Sequence, residues 1–137
     1  MTHLQKKILL VEDNEMVSMV HLQALESFGF LSTHASNGEE AIQFAEKSEI
    51  DLVIMDIDLG EGMNGLETAK RIQKSKDVPI LFFSSHNEKE IVEKARDISR
   101  YGYVTKGSGL PVLKTSIDVA LGFHDTEKKL SHFLTSK

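Results

Sequence analysis

Three short runs of uninterrupted apolar residues punctuate the chain: Ile8-Leu9-Leu10-Val11, Leu52-Val53-Ile54-Met55 and Ile80-Leu81-Phe82-Phe83. Runs of this length without polar alternation predict strands covered on both faces, as in the centre of a parallel sheet. Two weaker strand candidates lie at Leu31 to His34, after the Phe28-Gly29-Phe30 breaker, and at Gly102 to Thr105, where Tyr103 and Val104 are good β-formers. Between the runs, apolar residues recur at helical spacing. Val17, Val20, Leu22 and Leu25 mark a first helix, and Ala41, Ile42 and Ala45 a second, capped by Asn37. Leu66, Ala69 and Ile72 mark a third, Ile91, Ala95 and Ile98 a fourth, and Leu113, Ile117, Ala120 and Leu121 a fifth, with Pro111 in its first turn. Five βα units of this kind predict an α/β fold with right-handed crossovers and helices on both faces of the sheet. The loops at the carboxyl ends of the strands then collect the functional groups.

The length of 137 residues fits one domain, and 40% hydrophobic with 27% charged residues is a composition that can bury a core. Net charge is 16 − 21 = −5, with basic residues dispersed among acids, which speaks against a nucleic-acid grip. The absence of cysteine excludes disulfides, thiolate zinc sites and a cysteine nucleophile, and leaves a cytoplasmic location as the default. Met1 to Lys7 is polar, without a signal-peptide pattern, and no apolar run approaches the roughly 18 residues that span a bilayer, so no membrane partner is expected. The sequence divides into a domain at 1–123 and an extension at 124–137. The extension lacks Gly and Pro, and apolar residues stand at Phe123, Leu130, Phe133 and Leu134. It reads equally as a frayed solvated tail or as a helix that connects to something or pairs with a dimer mate.

The chemistry lies at the strand ends. Glu12 and Asp13 follow the first apolar run and Asp56 follows the second, which is the third expected strand. In a parallel sheet these carboxylates face one crevice, where their mutual repulsion calls for a cation, and hard oxygen donors suit Mg²⁺. Any one acid alone reads more simply as a helix cap. Ser84 and Lys106 arrive at the same edge from the fourth and fifth strands, adding a hydroxyl and a cation. Such a set can hold a phosphoryl group, and one of the acids could be its nucleophile.

These motifs, taken together and in order, resemble a response-regulator receiver domain of two-component signalling, over Lys7 to about Phe123. They are Ile8-Leu9-Leu10-Val11-Glu12-Asp13-Asn14, Val53-Ile54-Met55-Asp56, Phe82-Phe83-Ser84-Ser85 and Tyr103-Val104-Thr105-Lys106. The resemblance implies a flavodoxin-like, doubly wound five-stranded parallel sheet of order 2-1-3-4-5. It implies Asp56 as acceptor of a phosphoryl group from the phosphohistidine of a histidine kinase or histidine phosphotransfer protein. Asp13 and Asp56 would bind Mg²⁺ directly, Glu12 through water, and Asp58 through its backbone carbonyl. Ser84 would hydrogen-bond the phosphoryl group, Lys106 would pair with it, and Tyr103 would turn inward on phosphorylation. Output would pass by contact to a downstream protein or domain. The loop from Asp56 to Gly65 and the long last helix resemble receivers joined to sensor histidine kinases.

Two features depart from the family pattern. Gly107 stands where a Pro in a cis peptide is usual, which predicts a trans bond and a looser loop. The glycine-rich loop Asp58 to Gly65 is longer by a residue than the commonest form. Asp58 and His86 sit where control of phosphoryl lifetime is to be sought. Gly60-Glu61-Gly62-Met63-Asn64-Gly65 matches a dinucleotide fingerprint, but it follows the third strand and carries an acid that would repel a pyrophosphate. The six histidines include no pair at zinc spacing, and His3 and His132 fall near the ends. The rival enzyme reading takes Asp56-Ile57-Asp58 as the nucleophile motif of a Mg-dependent haloacid-dehalogenase-type phosphatase. In that family the nucleophile follows the first core strand and further acids come late, whereas here Glu12-Asp13 come first. A phosphorylation-independent interaction domain on the same fold is the other alternative.

Overall fold

The three apolar runs form the middle of a five-stranded sheet in the computed structural model, which describes residues 5–135. Strands β1 (Lys7–Val11), β2 (Leu31–Ala35), β3 (Leu52–Met55), β4 (Ile80–Ser84) and β5 (Tyr103–Thr105) alternate with helices α1 (Glu15–Ser27), α2 (Gly38–Lys47), α3 (Gly65–Ser75), α4 (Lys89–Ile98) and α5 (Leu110–Thr135). All four strand pairings are parallel and the order is β2-β1-β3-β4-β5, the flavodoxin-like arrangement.

Successive residues of the central strands point to opposite faces, and both faces are covered. Leu9, Val11, Val53, Met55, Ile80 and Phe82 pack against Ala41, Ala45, Ala69, Ile72 and Ala95 of α2, α3 and α4. Ile8, Leu10, Leu52, Ile54, Leu81, Phe83 and Val104 pack against Leu25 of α1 and Leu113, Ile117 and Ala120 of α5. A strand buried on both sides cannot alternate polar with apolar, which is why these runs were continuous.

Asparagines, and not acids, cap the three helices that leave the β1, β2 and β3 ends. The side chains of Asn14, Asn37 and Asn64 accept from the backbone N–H groups of Val17, Glu40 and Glu67. Glu12, Asp13 and Asp56 are therefore not spent on capping. On helix α1, Ser18, Ala24 and Leu25 are buried, while Val20 is 58% exposed beside the exposed Met16 and Met19. Strand β2 runs one residue further, to Ala35, and β5 starts at Tyr103, because Gly102 has φ 134°. The last helix does not stop near Phe123; α5 continues unbroken to Thr135. His3 and the final two residues lie outside the described residues.

Candidate functional site

The carboxyl ends of β1, β3 and β5 deliver an acidic pocket with a lysine across it. The backbone pins the acids in place: Glu12 N–H donates to the Ala35 carbonyl at 3.1 Å, and Asp56 N–H to the Val11 carbonyl at 3.1 Å. Carboxylate oxygens of Glu12, Asp13 and Asp56 all lie within 4.8 Å of one another. Glu12 and Asp56 are buried, at 2% and 6% exposure, and Asp13 is open to solvent.

Lys106 compensates the two buried acids. Its ammonium donates to Glu12 Oε1 at 2.6 Å and to Asp56 Oδ2 at 2.9 Å. Burial opposes its charge, but the two carboxylates outweigh that and hold the Lys106 pKa above the ordinary lysine value. Burial pushes the Glu12 carboxyl above its ordinary value, against the pull of Lys106, and the charge of Asp56 pushes it the same way. Gly107 does not leave Lys106 loose. A 3₁₀ turn, Lys106–Ser108, carries the residue, the Thr105 and Ser108 hydroxyls are 2.7 Å apart, and no peptide among the described residues is cis.

The other oxygen of Asp56 accepts from the Asp58 N–H at 3.3 Å, which turns the chain into the loop that follows. That loop closes at Gly65, whose N–H donates to the Ile57 carbonyl at 2.8 Å. A Cβ at Gly65 would lie 1.9 Å from the Asp56 carbonyl oxygen, so only glycine lets α3 start this close to the acid. Gly60, with φ 73°, passes the loop beside Asp13.

Ser84 ends β4 at the same edge, fully buried, and its Oγ accepts from the His86 N–H at 3.3 Å. Tyr103 is half-buried, and its hydroxyl donates to the His86 carbonyl. The His86 ring spans two acids, with Nε2 2.7 Å from Asp58 Oδ2 and Nδ1 2.7 Å from Glu88 Oε2. The hydrogen bond to Glu88 raises the His86 pKa most, burial opposes it, and Asp58 adds to the rise. His86 therefore ties the β3–α3 loop to the β4–α4 loop across the mouth of the pocket.

All the acids, the hydroxyl and the lysine expected from the sequence thus meet at one edge. Three hard carboxylate donors against a single lysine fit a divalent cation such as Mg²⁺. Sequence reasoning missed Glu88, the caps Asn14 and Asn64, and the Gly65 approach. It also missed a second cluster, at the amino end of β5. There Arg100 donates from Nε and Nη2 to Glu127 at 3.0 and 2.9 Å. Tyr101 donates its hydroxyl to Glu127 at 2.5 Å and lies 2.9 Å from His124 Nδ1. A cleft of about 540 Å³ opens beside this cluster and away from Glu12, Asp13 and Asp56. Arg100, Tyr101, His124 and Glu127, which line it, are paired with one another.

The family described as the response regulator receiver domain matches residues 8–118. Over 120 residues the chain is 35% identical to the transcriptional activator protein ExaE of Pseudomonas putida, covering 85% of this chain and 56% of that one. It thus spans little more than half the length of this curated relative. Among solved structures it is similar to the N-terminal domain of a response regulator/sensory box/GGDEF 3-domain protein from Carboxydothermus hydrogenoformans. That match has a TM-score of 0.82 and 37% identity, over 89% of this chain and 98% of that one. A CheY-like receiver domain protein from Methanospirillum hungatei JF-1 shares the fold, with a TM-score of 0.84 at 22% identity, over 90% and 99% of the two chains.

Proposed function

This chain belongs to the response regulator receiver domain family, and on that premise we propose that it is the phosphoacceptor of a two-component phosphorelay, modified on Asp56. The observation that carries the reading is the Lys106 ammonium held between two buried carboxylates, Glu12 and Asp56, at the centre of the sheet edge. Two buried acids and one lysine leave negative charge that a cation must complete, and a phosphoryl group brings its own anion for the lysine to hold.

In the reaction an Asp56 carboxylate oxygen attacks phosphorus. A P–O bond forms as the P–N bond of the donor phosphohistidine breaks, and the electron pair leaves with the imidazole, which then binds a proton. Lys106, already at Asp56 Oδ2, pairs with the phosphoryl oxygens. Ser84 accepts from His86 and keeps its own hydrogen to donate to the phosphoryl group. Mg²⁺, when bound, neutralises charge on the phosphoryl oxygens. Asp13 and Asp56 would hold it directly, Glu12 through water, and the Asp58 carbonyl would complete the protein donors.

His86 is the relay from this site outward. Its backbone N–H meets Ser84, its carbonyl meets the Tyr103 hydroxyl, and its ring meets Asp58 and Glu88. A shift of Ser84 toward a phosphoryl group therefore reaches β5 and α4 through a single residue. We infer that Asp58 and His86, whose side chains meet at 2.7 Å, restrict the approach of water to Asp56 and set the lifetime of the acyl phosphate. The donor is a histidine kinase or histidine phosphotransfer protein, met in the cytoplasm, and the output is contact with a downstream protein or domain. No described helix is long and apolar enough to cross a membrane.

The test is intact-mass spectrometry after incubation with acetyl phosphate and Mg²⁺. The expected result is one Mg²⁺-dependent phosphoryl adduct, absent from Asp56→Ala. Steady hydrolysis of phosphate monoesters would favour the phosphatase instead. Neither adduct nor turnover would leave an interaction domain without the chemistry.

A further inference from the structure

Strand β2 flanks the acidic edge without contributing an acid to it. In the β1–β2 ladder His34 pairs with Leu10 and Ala35 with Val11, and one more backbone bond follows, from the Glu12 N–H to the Ala35 carbonyl at 3.1 Å. Beyond that point the chain turns away from β1 into α2: the Ser36 N–H donates to Glu40 Oε1 at 2.8 Å, and Asn37 caps the helix. At the Glu12 carbonyl a side chain takes over from the ladder. His34 Nε2 lies 2.7 Å from that carbonyl oxygen. A carbonyl can only accept, so Nε2 carries the hydrogen and donates it.

The peptide group held in this way joins Glu12 to Asp13. Of the three carboxylates that converge in the pocket, two have ties of their own. Glu12 accepts from Lys106 and from the Asn14 N–H, and Asp56 accepts from Lys106 and from the Asp58 N–H. Among the described residues the Asp13 carboxylate is held by no hydrogen bond or ion pair of its own. Its direction therefore follows from the backbone that carries it. Rotation about the Cα–C bond of Glu12 would swing the Asp13 side chain, and the same rotation would pull the Glu12 carbonyl off His34. With its N–H on Ala35 and its carbonyl on His34, Glu12 is gripped by β2 on both sides of its Cα.

We propose that His34 is a positioning residue of the acidic pocket, which aims the Asp13 carboxylate so that it can bind a divalent cation together with Asp56. The inference rests on the reading of that pocket as a Mg²⁺-dependent phosphoacceptor. His34 is not itself a metal donor here. It acts through the Glu12 backbone, in the way that groups behind a metal ligand fix the orientation of that ligand. A purely structural histidine would behave differently: it would tie the edge strand to β1, and its loss would lower stability without weakening the hold on the metal.

Mg²⁺ titrations of the isotopically labelled chain, followed through its amide NMR shifts, test this without any phosphodonor. His34→Leu and His34→Val remove the donor at a strand position partly open to solvent, and His34→Gln keeps an N–H at similar reach. Both apolar variants are expected to bind Mg²⁺ about tenfold more weakly, the low end of the loss when a group behind a metal ligand is removed. His34→Gln is expected to bind as the unaltered chain does. Phosphoryl uptake from acetyl phosphate by His34→Leu should be slow at low Mg²⁺ and should recover at saturating Mg²⁺, because Asp56 and Lys106 are untouched. Unchanged Mg²⁺ affinity in the apolar variants overturns the proposal, whatever their unfolding midpoints. So does a loss in His34→Gln as deep as theirs, and failure of both apolar variants to fold assigns His34 to the fold and not to the site. If the unaltered chain binds no Mg²⁺, the phosphoacceptor reading falls and takes the inference with it. If it binds and the apolar variants bind equally well, the inference alone falls.

Discussion

The two ends of the sheet carry ion clusters of similar ingredients and opposite character. At the carboxyl end one lysine faces two buried acids, with a third acid beside them in solvent. At the amino end of β5 one arginine faces one glutamate, with a tyrosine and a histidine filling the remaining hydrogen-bond positions. The second cluster is balanced and largely open to water, where an ion pair contributes little energy and serves to orient a helix. The first is unbalanced and mostly buried, so its residual charge is available for a cation and a phosphoryl group. Stoichiometry and burial, more than residue type, separate a reactive cluster from a structural one.

The comparison breaks most severely at Gly65. Gly65→Ala places a methyl group against the Asp56 backbone and should cost about 3 kcal/mol or more, the upper part of the overpacking range. Denaturant unfolding would show it, and phosphoryl uptake should fall with it, because Asp56 itself must move. Lys106→Ala comes next. It leaves Glu12 and Asp56 without their counter-charge and should cost about 2 kcal/mol in metal-free buffer, less than for a fully buried pair because the lysine is partly exposed. Added Mg²⁺ should restore much of that loss in the same unfolding experiment, whereas the Arg100 end offers no such rescue.

Tyr101→Phe should cost about 1 kcal/mol, the net worth of a hydrogen bond. The same tyrosine gives a pH signature. Burial, then the hydrogen bond to Glu127, push its pKa up to about 12, and burial also raises that of Tyr103. Both folded-state values exceed those of the unfolded chain. The associated stability is therefore complete below pH about 10 and is lost as the pH rises toward the folded values. Tyrosinate absorbance should accordingly stay flat through the usual phenol range, since the chain has only two tyrosines. The smallest effect is expected at Arg100→Ala, which removes an exposed partner and should leave the unfolding midpoint unmoved within error.

Much of this was legible in the sequence because strands covered on both faces write themselves as unbroken apolar runs, and β1, β3 and β4 did so. The acids Glu12, Asp13 and Asp56 were legible because they directly follow such strands, where position along a parallel sheet is fixed by the strand itself. The buried stripe of α1 was not legible, because the helix carries apolar residues such as Val20 on its open face as well as its buried one, and spacing alone cannot say which stripe faces inward. The Gly65 approach was hidden in a loop that looks merely flexible, since only the fold brings the Asp56 carbonyl beside it. The Arg100–Glu127 pair joins residues on different elements and left no local pattern.

The outer strands limit the ways in which this molecule can meet others. Strand β5 has three residues, and β2, at the other edge, presents Ser32, Thr33 and His34 between its end residues. Edges so short or so polar are poor templates for an added strand, which protects the sheet from edge-to-edge aggregation. Recognition by backbone pairing is correspondingly disfavoured, and the surfaces left for conversation with other proteins are helical faces and loops.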